Sequence, residues 1–288
     1  MAQEGFKRKL TAILSADVEG YSRLMGEDDE ATVRTLTTYW TTHTSLWVCL
    51  FWGATVFLTP VWSNATVDHG LYAELLEKYA QNGTVDYQGF KESEIKLDQY
   101  LKFLSETDIK TLSRDEQFAF YVNAYNAWTI KLILTGYPGI KSIKDMGSIF
   151  KSPWKKQVVR IDGDIVTLDH IEHEILRPGF KDPRVHFAVN CASKGCPPLR
   201  SEPYRADILE QQLDEMTREF INDSQQNRLE GRTLYVSSIF KWFSEDFNDD
   251  VVGFFLKYAQ EDLKNQLEDK KSKIKIKYLD YDWSLNGK

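Results

Sequence analysis

The chain has 288 residues, of which 42% are hydrophobic, 13% aromatic and 27% charged, which suits a globular domain of roughly 200 residues with a full hydrophobic core. A net charge of -7 and a pI near 5.4 argue against a basic surface for a nucleic-acid backbone, so no nucleic-acid partner is expected. Three cysteines without paired CxxC spacing, and the lack of a Gly-rich phosphate loop, exclude a disulfide scaffold, a zinc module and a motif-borne nucleotide site; no cofactor and no resident metal are implied.

The front of the chain is composite. Arg8–Thr32, RKLTAILSADVEGYSRLMGEDDEAT, resembles the opening of a class III adenylate/guanylate cyclase domain, where an apolar strand ends in a metal-binding aspartate, here Asp17. A carboxylate at a strand end can hold Mg²⁺ beside a triphosphate. The likeness stops after 25 residues, however, and no cyclase activity is expected. No charged residue lies between Arg34 and Asp68. The run Leu46–Trp62, LWVCLFWGATVFLTPVW, is slightly short of the roughly 20 apolar residues a spanning helix needs, and Gly53 and Pro60 break it. It fits the apolar region of a secretory signal, with Ser63-Asn64-Ala65 as the cleavage site and Thr66 as the new start, or else an uncleaved anchor. The expected organisation is therefore a cyclase-like fragment over 1–44, a signal or anchor over 45–65 and a domain over 66–288. Export, a periplasmic location or membrane anchoring through residues 45–62 follows as an expectation.

From Asp68 onward the elements are well punctuated. Leu71–Gln81 is an amphipathic helix stopped by Asn82-Gly83, Val85–Phe90 reads as a short extended piece, and Glu94–Leu104 is helical again. Ser113 and Glu116 form a capping box for a helix running to Leu134 that is apolar on nearly every side and should be buried. Asn123 and Asn126 share a face of it, and buried amides there either tie loops to the helix or line a pocket. Asp162-Gly163 joins two short strands as a hairpin. Asp169 and Glu172 suggest a second capping box, on a helix dense in ionisable groups and closed by Pro178-Gly179; its His170 and His173 have a spacing that could chelate a metal.

Val185–Asn190 reads as a strand with His186 and Asn190 on one face, leading into a turn that holds Cys191 and Cys196 and ends at Pro197-Pro198. Asp207 is expected to cap a helix with the stripe Leu209, Leu213, Met216 and Phe220. A strand (RTLYV), a short helix with an acidic turn at Asp246, a long helical stretch from Val251 and an alternating strand with Ile274, Ile276 and Tyr278 complete the chain. The class is α+β, a helix-rich N-terminal half packed on a small, mostly antiparallel sheet.

FYVNAYNAWTIKLIL, IEHEILRP, HFAVNCASKGCPPL and SSIFKWFSEDF together resemble the domain of unknown function 547 family, found in exported bacterial proteins and in plants and animals, over residues from about 68 to 285. The family's defining positions fall on Asn123, Tyr125, Asn126, Glu172, His173, Arg177, His186, Cys191, Cys196 and Pro197. The family has no settled reaction. A distant likeness to cysteine peptidases or transglutaminases is an expectation for the fold.

Three functional readings remain. In the leading one, Cys191 and Cys196 pair in an oxidising compartment and the surface binds a peptide, a glycan or another envelope component. In the second, Cys196 or Cys191 is a nucleophile for acyl hydrolysis or transfer, His186 its base, and Glu172 or Asn123 orients the ring, with backbone amides of the turn serving an oxyanion. In the third, His173, His186 and the cysteines bind a metal. The candidate catalytic residues are Cys196, Cys191, His186, Glu172 and His173, and the candidate substrate-binding residues are Asn123, Asn126, Arg177 and Asn190.

Overall fold

One buried helix organises the domain. The computed structural model describes residues 67–148, 152–270 and 273–287. The cyclase-like fragment and the apolar run lie outside the described residues. Helices and strands are numbered in chain order. The hub, α4 (Arg114–Leu134), starts at the expected capping box, with the Ser113 hydroxyl accepting from the Glu116 amide and the Glu116 carboxylate from the Ser113 amide. Its apolar positions recur on all sides because other elements cover every face.

Helices α1 (Gly70–Tyr79), α2 (Tyr87–Glu92) and α3 (Glu94–Glu106) pack on one flank of this hub, where Tyr72 and Tyr100 stack at 4.8 Å. The expected extended piece after Val85 is helical instead. Asp86 accepts a hydrogen bond from the Gly89 amide and starts α2, a local cap that outweighs the low helix propensity of the stretch.

The sheets are small. A hairpin pairs β1 (Ala80–Gln81) with β2 (Thr84–Val85), and another pairs β3 (Val159–Ile161) with β4 (Asp164–Val166). The second turns on Asp162 and Gly163, both at positive φ, as the Asp-Gly pair predicts. In the third sheet, β5 (Arg228–Glu230) runs antiparallel to β6 (Thr233–Val236), and β7 (Lys275–Tyr278) joins β6 in parallel. The alternation through Ile276 and Tyr278 buries neither face, so β7 is an exposed edge. The mixed α+β class stands.

On the opposite flank of the hub lies α5 (residues 168–180), α-helical over Leu168–His170, π-helical over Ile171–Leu176 and α-helical again over Arg177–Phe180. Thr167, not Asp169, caps it, accepting from the His170 amide at 3.0 Å. The expected Asp169–Glu172 capping box is therefore absent, which leaves both carboxylates for other uses. Val185–Asn190 is not a strand. Val185–Ala188 makes one helical turn (α6), and the chain extends only from Val189. The alternation misleads here because all six residues are buried, so burial carries no two-residue period. The turn is set up by Asp182, which accepts from the Arg184 amide, while the Arg184 side chain is held by Asp182, Glu210 and Asp214.

The helix α7 (Leu209–Asn222) carries the expected stripe, but Asp207 pairs with Arg205 instead of capping it. The remaining helices are α8 (Ile239–Trp242), α9 (Val251–Tyr258) and α10 (Glu261–Lys270). Among the described residues no helix is long and apolar enough to cross a membrane.

His69 sits where α1 meets the hub. Its Nε2 accepts from the Asn123 amide at 3.3 Å, which puts the proton on Nδ1, 2.7 Å from the Tyr100 hydroxyl. Burial lowers its pKa from 6.5 to about 4, although Asp68 works the other way. The unfolded chain therefore binds a proton that the folded one refuses between those two values. Stability should fall as pH drops through this window, by up to about 3 kcal/mol at 1.36 kcal/mol per unit. Urea unfolding at stepped pH should show a shallower acid slope in His69→Gln than in the parent.

Candidate functional site

The site is assembled by amide side chains that fix a loop. Asn126, on the hub, donates to the Ala188 carbonyl at 3.0 Å and accepts from the Asn190 amide at 2.7 Å. Asn190 in turn accepts from the Ala192 amide and donates to the Pro197 carbonyl, closing the turn at both ends. Asn286 donates to Asn190 and accepts from the Tyr87 hydroxyl. Asn123 clamps Tyr204 in the same two-bond manner. Asn123, Asn126 and Asn190 are buried and committed to backbone, and none of them lines the cavity described below. Of the two roles open to the asparagines, tying loops to the hub is the one they fill.

The C-terminal segment then zips onto the thiol loop. The Lys194 amide donates to Ser284 and the Gly195 amide to Asp282. A side chain at position 195 would come within 3.0 Å of the Tyr281 ring, so glycine lets that ring close over the turn. Ala192, at φ 59, makes the reversal that points both sulfurs the same way.

Cys191 and Cys196 are free thiols whose sulfurs lie 2.8 Å apart. The Cys191 sulfur also meets the Ser193 hydroxyl at 3.0 Å and the Tyr281 hydroxyl at 3.2 Å. Burial pushes the Cys191 thiol up, but hydrogen bonds from Cys196, Ser193 and Tyr281 outweigh it and bring its pKa below the ordinary value. Burial and the neighbouring Cys191 sulfur push Cys196 well up, and burial keeps Tyr281 protonated as a donor. The pair thus loses its first proton from Cys191, with Cys196 as one of the donors that hold the thiolate. The amides of the turn do not form an oxyanion nest as expected: the Cys191 amide donates to the Cys196 sulfur at 2.9 Å, and those of Ala192, Lys194, Gly195 and Cys196 are bonded within the protein.

His186 lies on the wall of the same cavity, 3% exposed and stacked on Phe243 at 4.0 Å. Its Nε2 is 2.6 Å from Asp246 Oδ2. Asp246 also receives Arg177 Nε at 2.6 Å; burial opposes its charge, but His186 and Arg177 hold its pKa well below the carboxylate range. The orienting acid is therefore Asp246, not Glu172 or Asn123. No hydrogen bond joins His186 to either sulfur among the described residues. Arg177 reaches on to Glu245 at 2.6 Å and donates to His173 Nδ1 at 3.0 Å, so it organises the wall from behind without lining the cavity.

The π-helical stretch of α5 turns Glu172 and His173 inward. Glu172 accepts from the Tyr125 hydroxyl of the hub at 3.1 Å. The half-open cavity so formed has a volume of about 210 Å³. Cys191, Cys196, His186, Glu172 and His173, the five candidate catalytic residues, all line it. Among the described residues no three His, Cys, Asp or Glu side chains are placed to hold a metal ion together.

Sequence reasoning missed Asp246 as a partner of His186, and it missed the aromatic rim of Trp154, Trp242, Tyr281 and Trp283. The signals were there in the acidic end of KWFSED, where Asp246 lies, and in the YDW triplet near the C-terminus, but nothing local connects them to a thiol loop far away in the chain.

Compared with known proteins, residues 109–221 match the family described as "Protein of unknown function, DUF547". The match covers the hub, α5 and the thiol loop. It takes in Trp154 but ends before Asp246, Trp242, Tyr281 and Trp283, so the wider resemblance from 68 to 285 is shown only in its central part. No curated protein and no solved structure matches the chain.

Removing the hub's clamp should be costly. Asn126→Leu leaves the Ala188 carbonyl and the Asn190 amide buried without partners, and a loss of about 2–6 kcal/mol in urea unfolding is expected at about 1–3 kcal/mol per stranded group.

Proposed function

We propose that the domain is a cysteine-dependent acyl hydrolase or acyltransferase with Cys191 as nucleophile. The observation that carries this is the Cys191 sulfur, within hydrogen-bond distance of Cys196, Ser193 and Tyr281 at a cavity whose wall also carries His186, itself fixed through Nε2 by Asp246. With Nε2 on the carboxylate, Nδ1 is the ring nitrogen left to exchange protons with sulfur or substrate, and the proposal requires it to come within hydrogen-bond reach when substrate binds. The Cys191 thiolate attacks an acyl carbon and a C–S bond forms. The bond to the leaving amine or alcohol breaks as that group takes a proton from His186. Water or a second amine, deprotonated by His186, then attacks the thioester and restores the thiol.

Cys196 supports the reading in a second way. Its sulfur occupies the place to which the Cys191 amide points, where a tetrahedral oxyanion would be received once Cys196 swings aside. In an extracytoplasmic setting, as the apolar run suggests, the proposal requires Cys191 and Cys196 to be kept reduced, with a peptide or another envelope component as acyl donor. The binding-only reading gains less support, because a purely structural pair has no need of a histidine anchored at the same cavity.

The test is covalent trapping. Brief incubation with an activated ester such as p-nitrophenyl acetate should add one acetyl group, located on Cys191 by peptide mass spectrometry, and Cys191→Ala should abolish it. Equal, sluggish modification of both cysteines would sink the proposal. Iodoacetamide should label Cys191 with a pH midpoint below the free-thiol value of 9.0. Asp246→Asn should leave that labelling largely in place but slow ester turnover by about 10²–10⁴, the range for a misdirected general base.

A further inference from the structure

We infer that the cavity recognises a primary ammonium group on an apolar stem, as in a lysine side chain or a polyamine. The inference rests on the acyl-transfer reading for its purpose, though not for the binding itself. Beside the sulfurs and beyond them the walls are largely aromatic. Trp154 and Trp283 meet at 5.7 Å and 65°, Trp242 stacks on Trp283 at 5.7 Å, and Tyr281 lies 4.9 Å from Trp242 and 4.5 Å from Trp283. A ring face left open to the cavity offers the negative side of its quadrupole, and of the ligand classes a cation gains most from it. Trp283 already takes a primary ammonium: Lys144, which does not line the cavity, places Nζ 3.7 Å from its centroid.

The charges on the wall agree. Asp169 and Glu172 both line the cavity, and among the described residues no Lys or Arg does. Asp169 makes no side-chain hydrogen bond among the described residues; its closest partner is His173 Nε2 at 3.9 Å. Glu172 receives only the Tyr125 hydroxyl. The nearby guanidinium of Arg177 is committed to Asp246 and Glu245. An anionic ligand would therefore meet two carboxylates, with no Lys or Arg among the described lining residues to offset them. A neutral sugar could stack on the tryptophans but would leave Asp169 without a charged partner, and a volume of about 210 Å³ suits a side chain better than an oligosaccharide.

The test uses the Cys191→Ala protein, so that binding is read without chemistry. Calorimetric titration compares Nα-acetyl-lysine amide and spermidine with the neutral Nα-acetyl-norleucine amide and with cellobiose. At least one of the two cations should bind roughly tenfold more tightly than norleucine amide, more weakly as salt is raised, and the tighter of the two identifies a peptide side chain or a free polyamine as the source. Asp169→Asn, at a half-exposed position and checked for folding by circular dichroism, should lose roughly tenfold in affinity for that cation. Equal binding of norleucine amide, tighter binding of cellobiose, no binding of either cation, or no effect of Asp169→Asn would each overturn the inference. Those failures leave the trapping of Cys191 untouched, and a failure to trap leaves the titrations untouched.

Discussion

The pair of hydrogen bonds from the Asn126 side chain to the backbone of Ala188 and Asn190 is the constraint on which the site depends. A loop carrying two buried sulfurs cannot satisfy its own polar backbone in an apolar setting, and stranded amides there are costly. One amide from the hub supplies both a donor and an acceptor in fixed geometry. Asn190 and Asn286 extend the network to Pro197 and Tyr87, so helix, thiol loop and C-terminal segment are locked in one frame. The asparagines fix the thiol loop through its backbone and do not line the cavity.

A second, charged frame supports the histidine. Arg177 leaves the π-helical turn and binds Glu245, Asp246 and His173, and Asp246 binds His186. Burying an acid and a base separately would cost much more than burying them paired. The hydrogen bond to Asp246 also fixes the ring. The two frames meet at the cavity: the Cys191 sulfur, with Cys196, Ser193 and Tyr281 around it, lines one side, and His186, bonded to Asp246, lines another.

Much of the fold was legible from local signals. The Ser113–Glu116 box, the long buried helix and the Asp-Gly hairpin each rest on contacts within a few residues, and sequence displays those directly. The thiol loop's surroundings were legible in part: five residues singled out by type and spacing do share a cavity. The segment before it was misread because alternation signals a strand only when one face is solvated, and all of Val185–Asn190 is buried. The second capping box failed for a related reason. Thr167 was as good a cap as Asp169, and burial drew Glu172 inward to Tyr125.

By itself the sequence determined the class of the domain, the capped and buried hub helix, and the set of thiol, imidazole and carboxyl groups able to do chemistry. Only the tertiary structure decided the partnerships. Asp246 is 60 residues from His186, and Tyr281 is 90 from Cys191. Which acid faces a buried histidine, or which hydroxyl faces a sulfur, follows from how elements pack to satisfy each other's desolvated polar groups, a condition that no stretch of chain meets alone.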